Sequence, residues 1–366
     1  MQELGPQPAF EAALAALPAC LLDAPIGVAV SGGGDSLALL ILAQRWAAGQ
    51  GRTLFVLTVD HGLRLEARAE AEAVAALCRQ LGLAHETLRL EGAAPRQASL
   101  RRGRHAALAR AARQRGSRLL LTGHTADDQA ETFLMRARQG SGWYGLAGMR
   151  PLSLSPVWPE GQGVFIARPL LGARRQELRV FLRAEGVRWV DDPSNENPAF
   201  ERVRMRRLLC PKMSGFVQIL SVIDRFQTLR MIEDAALWRW MTANVSVSEG
   251  GIEVASLTLL PPERAARALG LLIQIAAGRE APPRGESLAR LVERIVSEQD
   301  FRGATLGGCQ IRPRWGRLQL VSEAGQPIPG IAARLAAHQA ILSGNTHEIA
   351  AAAGKESFLE DLVPIF

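Results

Sequence analysis

The sequence predicts an α/β protein with a mainly parallel sheet and helices on both faces, followed by a smaller, mostly helical C-terminal domain. Two observations lead to this fold. Through the first 190 residues, short apolar segments bounded by turn residues alternate with longer Ala-rich and Leu-rich segments, as in proteins whose strands alternate with helices. After Gly215 the short apolar segments become rare and long helical patterns take over.

The first half of the chain supplies the predicted sheet. The predicted strands are Ile26–Val30, Leu54–Val59, His85–Leu90, Arg118–Thr122 and Val164–Ala167. The predicted helices between them are Ser36–Ala48, Ala67–Leu81, Gln97–Arg115 and Asp127–Ala137. Because ligands of such sheets bind beyond the carboxyl ends of the strands, functional residues are expected directly after each strand.

The second half supplies the predicted helical domain. Its predicted helices are Phe216–Ala243, Pro262–Ala277 and Ser287–Glu298. The segment Cys309–Val321 alternates about Gly316 and predicts a small hairpin. Residues 331–366 are Ala-rich and give no clear signal.

Composition and charge favour a polyanionic partner. The 366-residue chain carries a formal charge of +7, and only two of its 43 basic residues are lysines, so the placement of the arginines matters more than their number. The four cysteines lie far apart without metal-ligand spacing and predict reduced thiols. Neither a signal peptide nor a membrane-spanning run is recognisable, so we expect a soluble, cytoplasmic protein with no membrane partner.

The loop Ser31-Gly-Gly-Gly-Asp-Ser36 follows the first predicted strand and precedes a helix. Glycines allow successive N–H groups and the helix N-terminus to surround a phosphate. The loop has neither the lysine nor the spacing of a Walker loop. It predicts phosphate binding, and the alternative is a plain turn whose Ser and Asp cap the helix.

Two further stretches carry candidate ligands for a nucleotide or RNA. Asp60 and His61 end the second predicted strand near the loop, although Asp-His-Gly also simply makes a turn. Between Arg96 and Arg118 the chain has eight arginines and no acid. Like charges four residues apart repel, so this helix is expected to face phosphate, with a solvated arginine-rich face as the alternative.

The segment from Thr122 to Met149 carries acids and aromatic residues. Asp128 and Glu131 are three residues apart and share one helix face, which suits an ammonium group. The alternative is a capping arrangement between Thr125 and Asp128. The glycine-punctuated loop that follows holds Trp143 and Tyr144, which could stack on an unpaired base or serve as core anchors.

Taken in order, SGGGDS, VDHGLR, GHTADDQAETFLMR, GSGWYGLAGM and RPLLGARRQELRVFLRAEGVRWVDDPSNENPAFERVRMRRLL closely resemble the tRNA(Ile)-lysidine synthetase family of the PP-loop ATP pyrophosphatases. The match covers about Pro25 to Leu209. One departure is Val203, where many relatives carry asparagine. The resemblance implies a PP-loop, adenine nucleotide alpha hydrolase-like fold.

The resemblance also implies a reaction: ATP and magnesium activate the wobble cytidine of the CAU-anticodon isoleucine tRNA by adenylation, and L-lysine then displaces AMP. It implies that Asp35 positions magnesium and that Asp128, Glu131 and Arg104 engage lysine. His124 would face the nucleotide and take part in catalysis. The implied ATP-binding residues are Ser31, Gly32, Gly33, Gly34, Asp35, Ser36, Asp60 and His61. The expected tRNA-binding residues are Arg101, Arg102, Trp143, Arg202, Arg204, Arg206 and Arg207, although the last four could instead form an ionic network between domains.

We therefore expect a catalytic ATP-binding domain over residues 1–212, a mostly helical domain that contacts tRNA over 213–330, and a C-terminal segment of unknown role over 331–366. A homodimer and a monomer are both compatible with the sequence. Two rival functions remain: another PP-loop enzyme such as a tRNA thiolase, which usually needs paired or catalytic cysteines, and a non-catalytic, nucleotide-responsive RNA-binding protein.

Overall fold

The computed structural model describes residues 5–60, 65–90, 97–190, 199, 201–209, 215–298, 300–325 and 328–344. The chain divides into two compact units. Unit 1 comprises Met1–Ser155 and Val164–Met231, and unit 2 comprises Pro156–Gly163 and Ile232–Phe366.

Unit 1 is built on a six-stranded sheet. Its strands are β1 (Ile26–Ala29), β2 (Leu54–Asp60), β3 (Ala84–Arg89), β4 (Leu119–Thr122), β5 (Leu152–Leu154) and β6 (Phe165–Ala167), in the spatial order β3-β2-β1-β4-β6-β5. Every pairing is parallel except that of β5 with β6, which is antiparallel. Every residue of β1 and β4 is buried, so both faces of the central strands are covered.

Helices connect and cover these strands. They are α1 (Pro6–Ala15), α2 (Ala19–Leu22), α3 (Gly34–Gln50), α4 (Leu65–Gln80), α5 (Gln97–Gln114), α6 (Ala126–Arg138), α7 (Trp143–Leu146), α8 (Arg175–Ala184), α9 (Glu201–Leu208) and α10 (Gly215–Asn244). The division between the two units falls inside α10. Three helices begin just after parallel strands of the sheet: α3 follows β1, α6 follows β4 and α8 follows β6. The first turns of these helices therefore lie together at the carboxyl ends of the strands.

Unit 2 combines helices with a five-stranded antiparallel sheet. Its strands are β7 (Val245–Ser248), β8 (Gly251–Val254), β9 (Ala304–Leu306), β10 (Cys309–Arg314) and β11 (Arg317–Ser322), in the spatial order β7-β8-β11-β10-β9. The helices α11 (Pro262–Ala276), α12 (Gly285–Ser297) and α13 (Ile331–Ser343) share one apolar core with this sheet, formed by side chains such as Leu272, Ile252 and Leu320.

The structure confirms the predicted fold and adds strands that the sequence did not indicate. The five strands predicted in the first half are all present, and the predicted hairpin is the pair β10–β11. Helical residues outnumber strand residues in unit 2, as expected for a mostly helical domain. The unpredicted strands β5, β7, β8 and β9 have only three or four residues each, too few for alternation to be recognised.

The sequence also led to expectations about membrane segments and about the cysteines. Within the described residues, no helix is long and apolar enough to cross a membrane. The described cysteines are free thiols, with Cys78 and Cys309 buried and Cys20 partly buried. The functional boundary expected at residue 212 stays a prediction, and so does the role of residues 331–366, of which those after 344 lie outside the described part.

Candidate functional site

The glycine-rich loop lies between β1 and α3, as the sequence predicted. Gly33 caps α3, and Gly32 has a φ of +85°, which only glycine adopts without strain. The Ser36 hydroxyl donates to the Gly33 carbonyl oxygen at 2.8 Å and accepts from the Ser31 N–H at 3.1 Å. The loop is thus folded around Ser36, and the unpaired N–H groups of a helix start there create a site suited to an anion.

Gly123 keeps this loop close to the end of β4. A Cβ at position 123 would lie 3.0 Å from the Asp35 carbonyl oxygen and 3.2 Å from the Ser36 Cα. A side chain at this position would require the backbone at Asp35 and Ser36 to shift by a few tenths of an ångström. The sequence analysis did not single out this glycine.

Asp128 has two roles in the structure. Its Oδ2 accepts from the Thr125 N–H at 2.8 Å and from the Thr125 hydroxyl at 2.9 Å, which completes a capping box at the start of α6. Its Oδ1 contacts Arg175 at 3.1 Å and Arg202 at 2.8 Å. Burial alone would raise the pKa of Asp128, but these two guanidiniums hold its pKa below the ordinary value. Capping and charge pairing are therefore both present.

Glu131 lies one turn further along α6 and its side chain is fully buried. Its Oε1 contacts Arg175 at 3.2 Å and Arg206 at 2.7 Å, and its Oε2 contacts Arg202 at 2.7 Å. Asp128 and Glu131 do share one face of the helix, as their spacing predicted. That face meets three arginines.

Arg175, which the sequence analysis missed, joins this acid pair to the loop. Its guanidinium contacts Asp35 at 2.9 Å as well as Asp128 and Glu131. Its backbone N–H donates to Asp127 at 2.8 Å, which ties the start of α8 to the start of α6. Burial raises the pKa of Asp35, and Arg175 partly offsets that rise. The residues next to Arg175 in the sequence give no signal of this role, because its contacts join residues 44 to 140 positions apart.

His124 is a neutral, hydrogen-bonded side chain. Burial, reinforced by the charge of Arg168, lowers the pKa of His124 to about 4, so the ring is neutral at pH 7. The Thr122 hydroxyl donates to the Ala167 carbonyl oxygen at 3.3 Å and lies 3.1 Å from His124 Nδ1.

The arginines of α5 divide into exposed and partly buried ones. Arg101 and Arg102 are exposed on the first turns of the helix. Arg104 is partly buried, and burial together with the charge of Arg101 lowers its pKa. Arg168, at the end of β6, has a buried Nε without a hydrogen-bond partner among the described residues. The sheet edge beside His124 is therefore positively charged.

The aromatic segment is a short helix that is fixed in place. Trp143 and Tyr144 are partly buried and pack edge to face with ring centroids 5.7 Å apart. The Gln129 side chain donates to the Met149 carbonyl oxygen at 3.0 Å and accepts from the Met149 N–H at 2.7 Å. Trp143 thus lies at the start of the segment from residue 143 to residue 149, and hydrogen bonds from Gln129 of α6 fix the end of that segment at Met149.

The remaining predicted residues lie on β2 and α9. Asp60 ends β2 and is partly buried, whereas His61 lies outside the described residues. Arg202 and Arg206 of α9 pair with acids inside unit 1, so for these two the expected network between domains is replaced by one within a single unit. Arg204 donates to the Ala199 carbonyl oxygen at 2.9 Å, and Arg207 is exposed.

Comparison with known proteins identifies the family. The PP-loop domain family matches residues 7–213. A tRNA(Ile)-lysidine synthase from Hyphomonas neptunium is 75% identical over 367 residues, and the match covers 100% of both chains. Those from Caulobacter vibrioides and Ruegeria pomeroyi are 38% and 37% identical; the matches cover 85% and 81% of this chain and 70% and 71% of theirs. The chain therefore belongs to the family of tRNA(Ile)-lysidine synthases, enzymes built on a PP-loop domain.

Proposed function

We propose that the protein attaches L-lysine to C2 of the wobble cytidine of isoleucine tRNA with a CAU anticodon, in the cytoplasm. One observation carries the proposal at the level of the site: a single guanidinium, that of Arg175, joins the acid of the phosphate-binding loop to the acid pair of α6. The proposed ATP site and the proposed amine site are thus next to each other, which suits a ligase of this kind.

The proposed chemistry has two steps. The cytosine O2 attacks the α-phosphorus of ATP, and pyrophosphate leaves. The lysine ε-nitrogen, after losing a proton, attacks C2, and AMP leaves with the former O2. Splitting the reaction in this way turns a poor leaving group into a good one.

The loop is proposed to bind the β and γ phosphates as the leaving unit. The start of α3 offers N–H groups and hydroxyls, and Gly32 and Gly123 allow close approach of the backbone. Asp60 at the neighbouring strand end is proposed to contact the nucleotide, together with His61.

Asp35 suits a magnesium ion that accompanies ATP. Magnesium in nucleotide sites is commonly held by one or two carboxylates together with phosphate oxygens and water. Within the described residues no cluster of three or more potential metal ligands occurs. When bound, the ion would neutralise charge on the phosphates.

Asp128, Glu131 and Arg104 are proposed to engage lysine, the acids through an ammonium group and the arginine through the carboxylate. His124 is neutral and is proposed to face the nucleotide. With a pKa of about 4 it is a weak base, so we assign it to positioning rather than to removing the proton of the amine. The exposed Arg101, Arg102, Arg204 and Arg207, with Trp143, are proposed to contact the tRNA.

The described cysteines argue against a thiolase. Burial raises the pKa of Cys78 to about 11 and that of Cys309 to about 12, and it also raises the pKa of Cys20. A thiol with a raised pKa is a poor nucleophile at neutral pH.

The direct test incubates the purified protein with ATP, magnesium, labelled lysine and the CAU isoleucine tRNA, and follows label in RNA together with AMP. Matching amounts of both support the ligase, and a tRNA with uridine at the wobble position is the control. AMP without incorporated lysine would refute lysine as the nucleophile. A folded protein that forms neither product would favour an RNA-binding protein without catalysis.

A further inference from the structure

The strongest unexplained feature of the site is that two groups of functional residues pair with each other. Arg202 and Arg206 are the residues expected to contact tRNA, and they form ion pairs with the acids of α6. Those acids, Asp128 and Glu131, are the residues proposed to engage lysine. The two roles cannot be filled at the same time. This inference rests on the proposed function and concerns the order of events at that site.

The charges of the cluster already balance. Asp35, Asp128 and Glu131 contribute three negative charges, and Arg175, Arg202 and Arg206 contribute three positive ones. An ammonium group that enters such a cluster finds no surplus negative charge. It also finds the carboxylate oxygens accepting hydrogen bonds at 2.7–3.2 Å. A guanidinium must leave before lysine can bind well.

The geometry indicates which guanidinium leaves. Arg175 contacts all three acids, its backbone is tied to Asp127, and its side chain is 16% exposed. The side chains of Arg202 and Arg206 are 43% and 37% exposed and contact the acid pair but not Asp35. These two sit one turn apart on α9, so they can turn together toward a phosphate on the protein surface.

We propose that Arg202, with Arg206, occupies the amine site in the tRNA-free protein and is withdrawn by the tRNA phosphates, so that lysine binds well only after tRNA. In this exchange, each arginine leaves its carboxylate partner and pairs with a tRNA phosphate, and the ammonium group of lysine then pairs with the carboxylates. No buried charge is left without a partner, which would otherwise be costly. The arginines thus keep the site closed to lysine until the RNA that accepts it is in place.

The test measures binding of labelled lysine by equilibrium dialysis, with and without the CAU isoleucine tRNA. The variants are Arg202→Gln, which removes the charge but keeps a polar side chain, and the pair Arg202→Gln with Arg206→Gln. Arg138→Gln is the matched control, because Arg138 contacts Glu201 of the same α9 at 3.8 Å and does not touch the acid pair. Thermal melts establish that each variant is folded.

We expect Arg202→Gln to bind lysine about tenfold more tightly than the wild type in the absence of tRNA, because the two charge-assisted hydrogen bonds of this guanidinium no longer compete while Arg206 stays in place. Added tRNA should strengthen lysine binding in the wild type and in Arg138→Gln, and much less in the double variant. Unchanged or weaker binding by folded Arg202→Gln without tRNA would overturn the inference.

A second measurement does not depend on lysine. In a sample with 15N-labelled arginine, the Nε–H resonance of Arg202 should shift when tRNA is added, and Arg202→Gln identifies that resonance. If tRNA binds and the resonance does not move, withdrawal is refuted. If it moves but no lysine binds under any condition, lysine as the substrate is refuted and the withdrawal stands.

Discussion

Removal of the buried charge of Glu131 should destabilise unit 1 strongly, because this carboxylate holds three arginines at once. In Glu131→Gln, Asp35 and Asp128 would face three guanidiniums, which leaves one positive charge in excess. Breaking a buried ion pair by removing one partner costs about 3–5 kcal/mol. The exposed edges of Arg202 and Arg206 allow both to turn toward water, so we expect the lower end, about 3 kcal/mol.

The assay is urea unfolding at pH 7.5, followed by circular dichroism. Glu86→Gln is the control: Glu86 pairs with Arg115 on the surface, both side chains being more than a third exposed, and the loss should stay under about 1 kcal/mol. If Glu131→Gln unfolds as readily as Glu86→Gln, then the carboxylate does not organise the arginine cluster and the argument from its burial is wrong.

Three further outcomes follow from the site. Asp35→Asn should lower lysidine formation at least ~100-fold while tRNA binding in a filter assay is kept, since this carboxylate is proposed to hold the magnesium ion that accompanies ATP; equal activity would remove Asp35 from the mechanism. Gly123→Ala should weaken ATP binding about tenfold, measured by calorimetry, because its Cβ would push the backbone at Asp35 and Ser36; unchanged affinity would show that the loop tolerates the shift. Stability should fall as pH drops from 6.5 toward 4, because burial lowers the pKa of His124, His105 and His338 to about 4 in the folded state and the unfolded chain binds these protons first. His124→Asn should remove one of these three contributions and so reduce the fall between pH 7 and pH 5 in urea unfolding, and an unchanged slope would show that His124 contributes nothing to it.

The sequence by itself determined the order of strands and helices and the identity of the family. Strand–helix alternation is a local property of hydrophobic pattern, and the structure reproduces it closely, with α3 at Gly34–Gln50 against a predicted Ser36–Ala48. The loop SGGGDS and the spacing of Asp128 and Glu131 are likewise local, so their placement at a strand end and on one helix face could be read in advance.

Only the tertiary structure decided which charges meet. Arg175 contacts acids that lie 44 to 140 positions away in the sequence. These contacts form because the first turns of α3, α6 and α8 meet at the carboxyl ends of the strands. The sequence placed Arg202 and Arg206 in a basic cluster, which predicts phosphate, but gave no means of showing that the fold turns both toward Asp128 and Glu131. Pairing between distant charges is set by packing and desolvation rather than by local pattern, and for that reason the arginine partners of Asp128 and Glu131 could be known only from the folded chain.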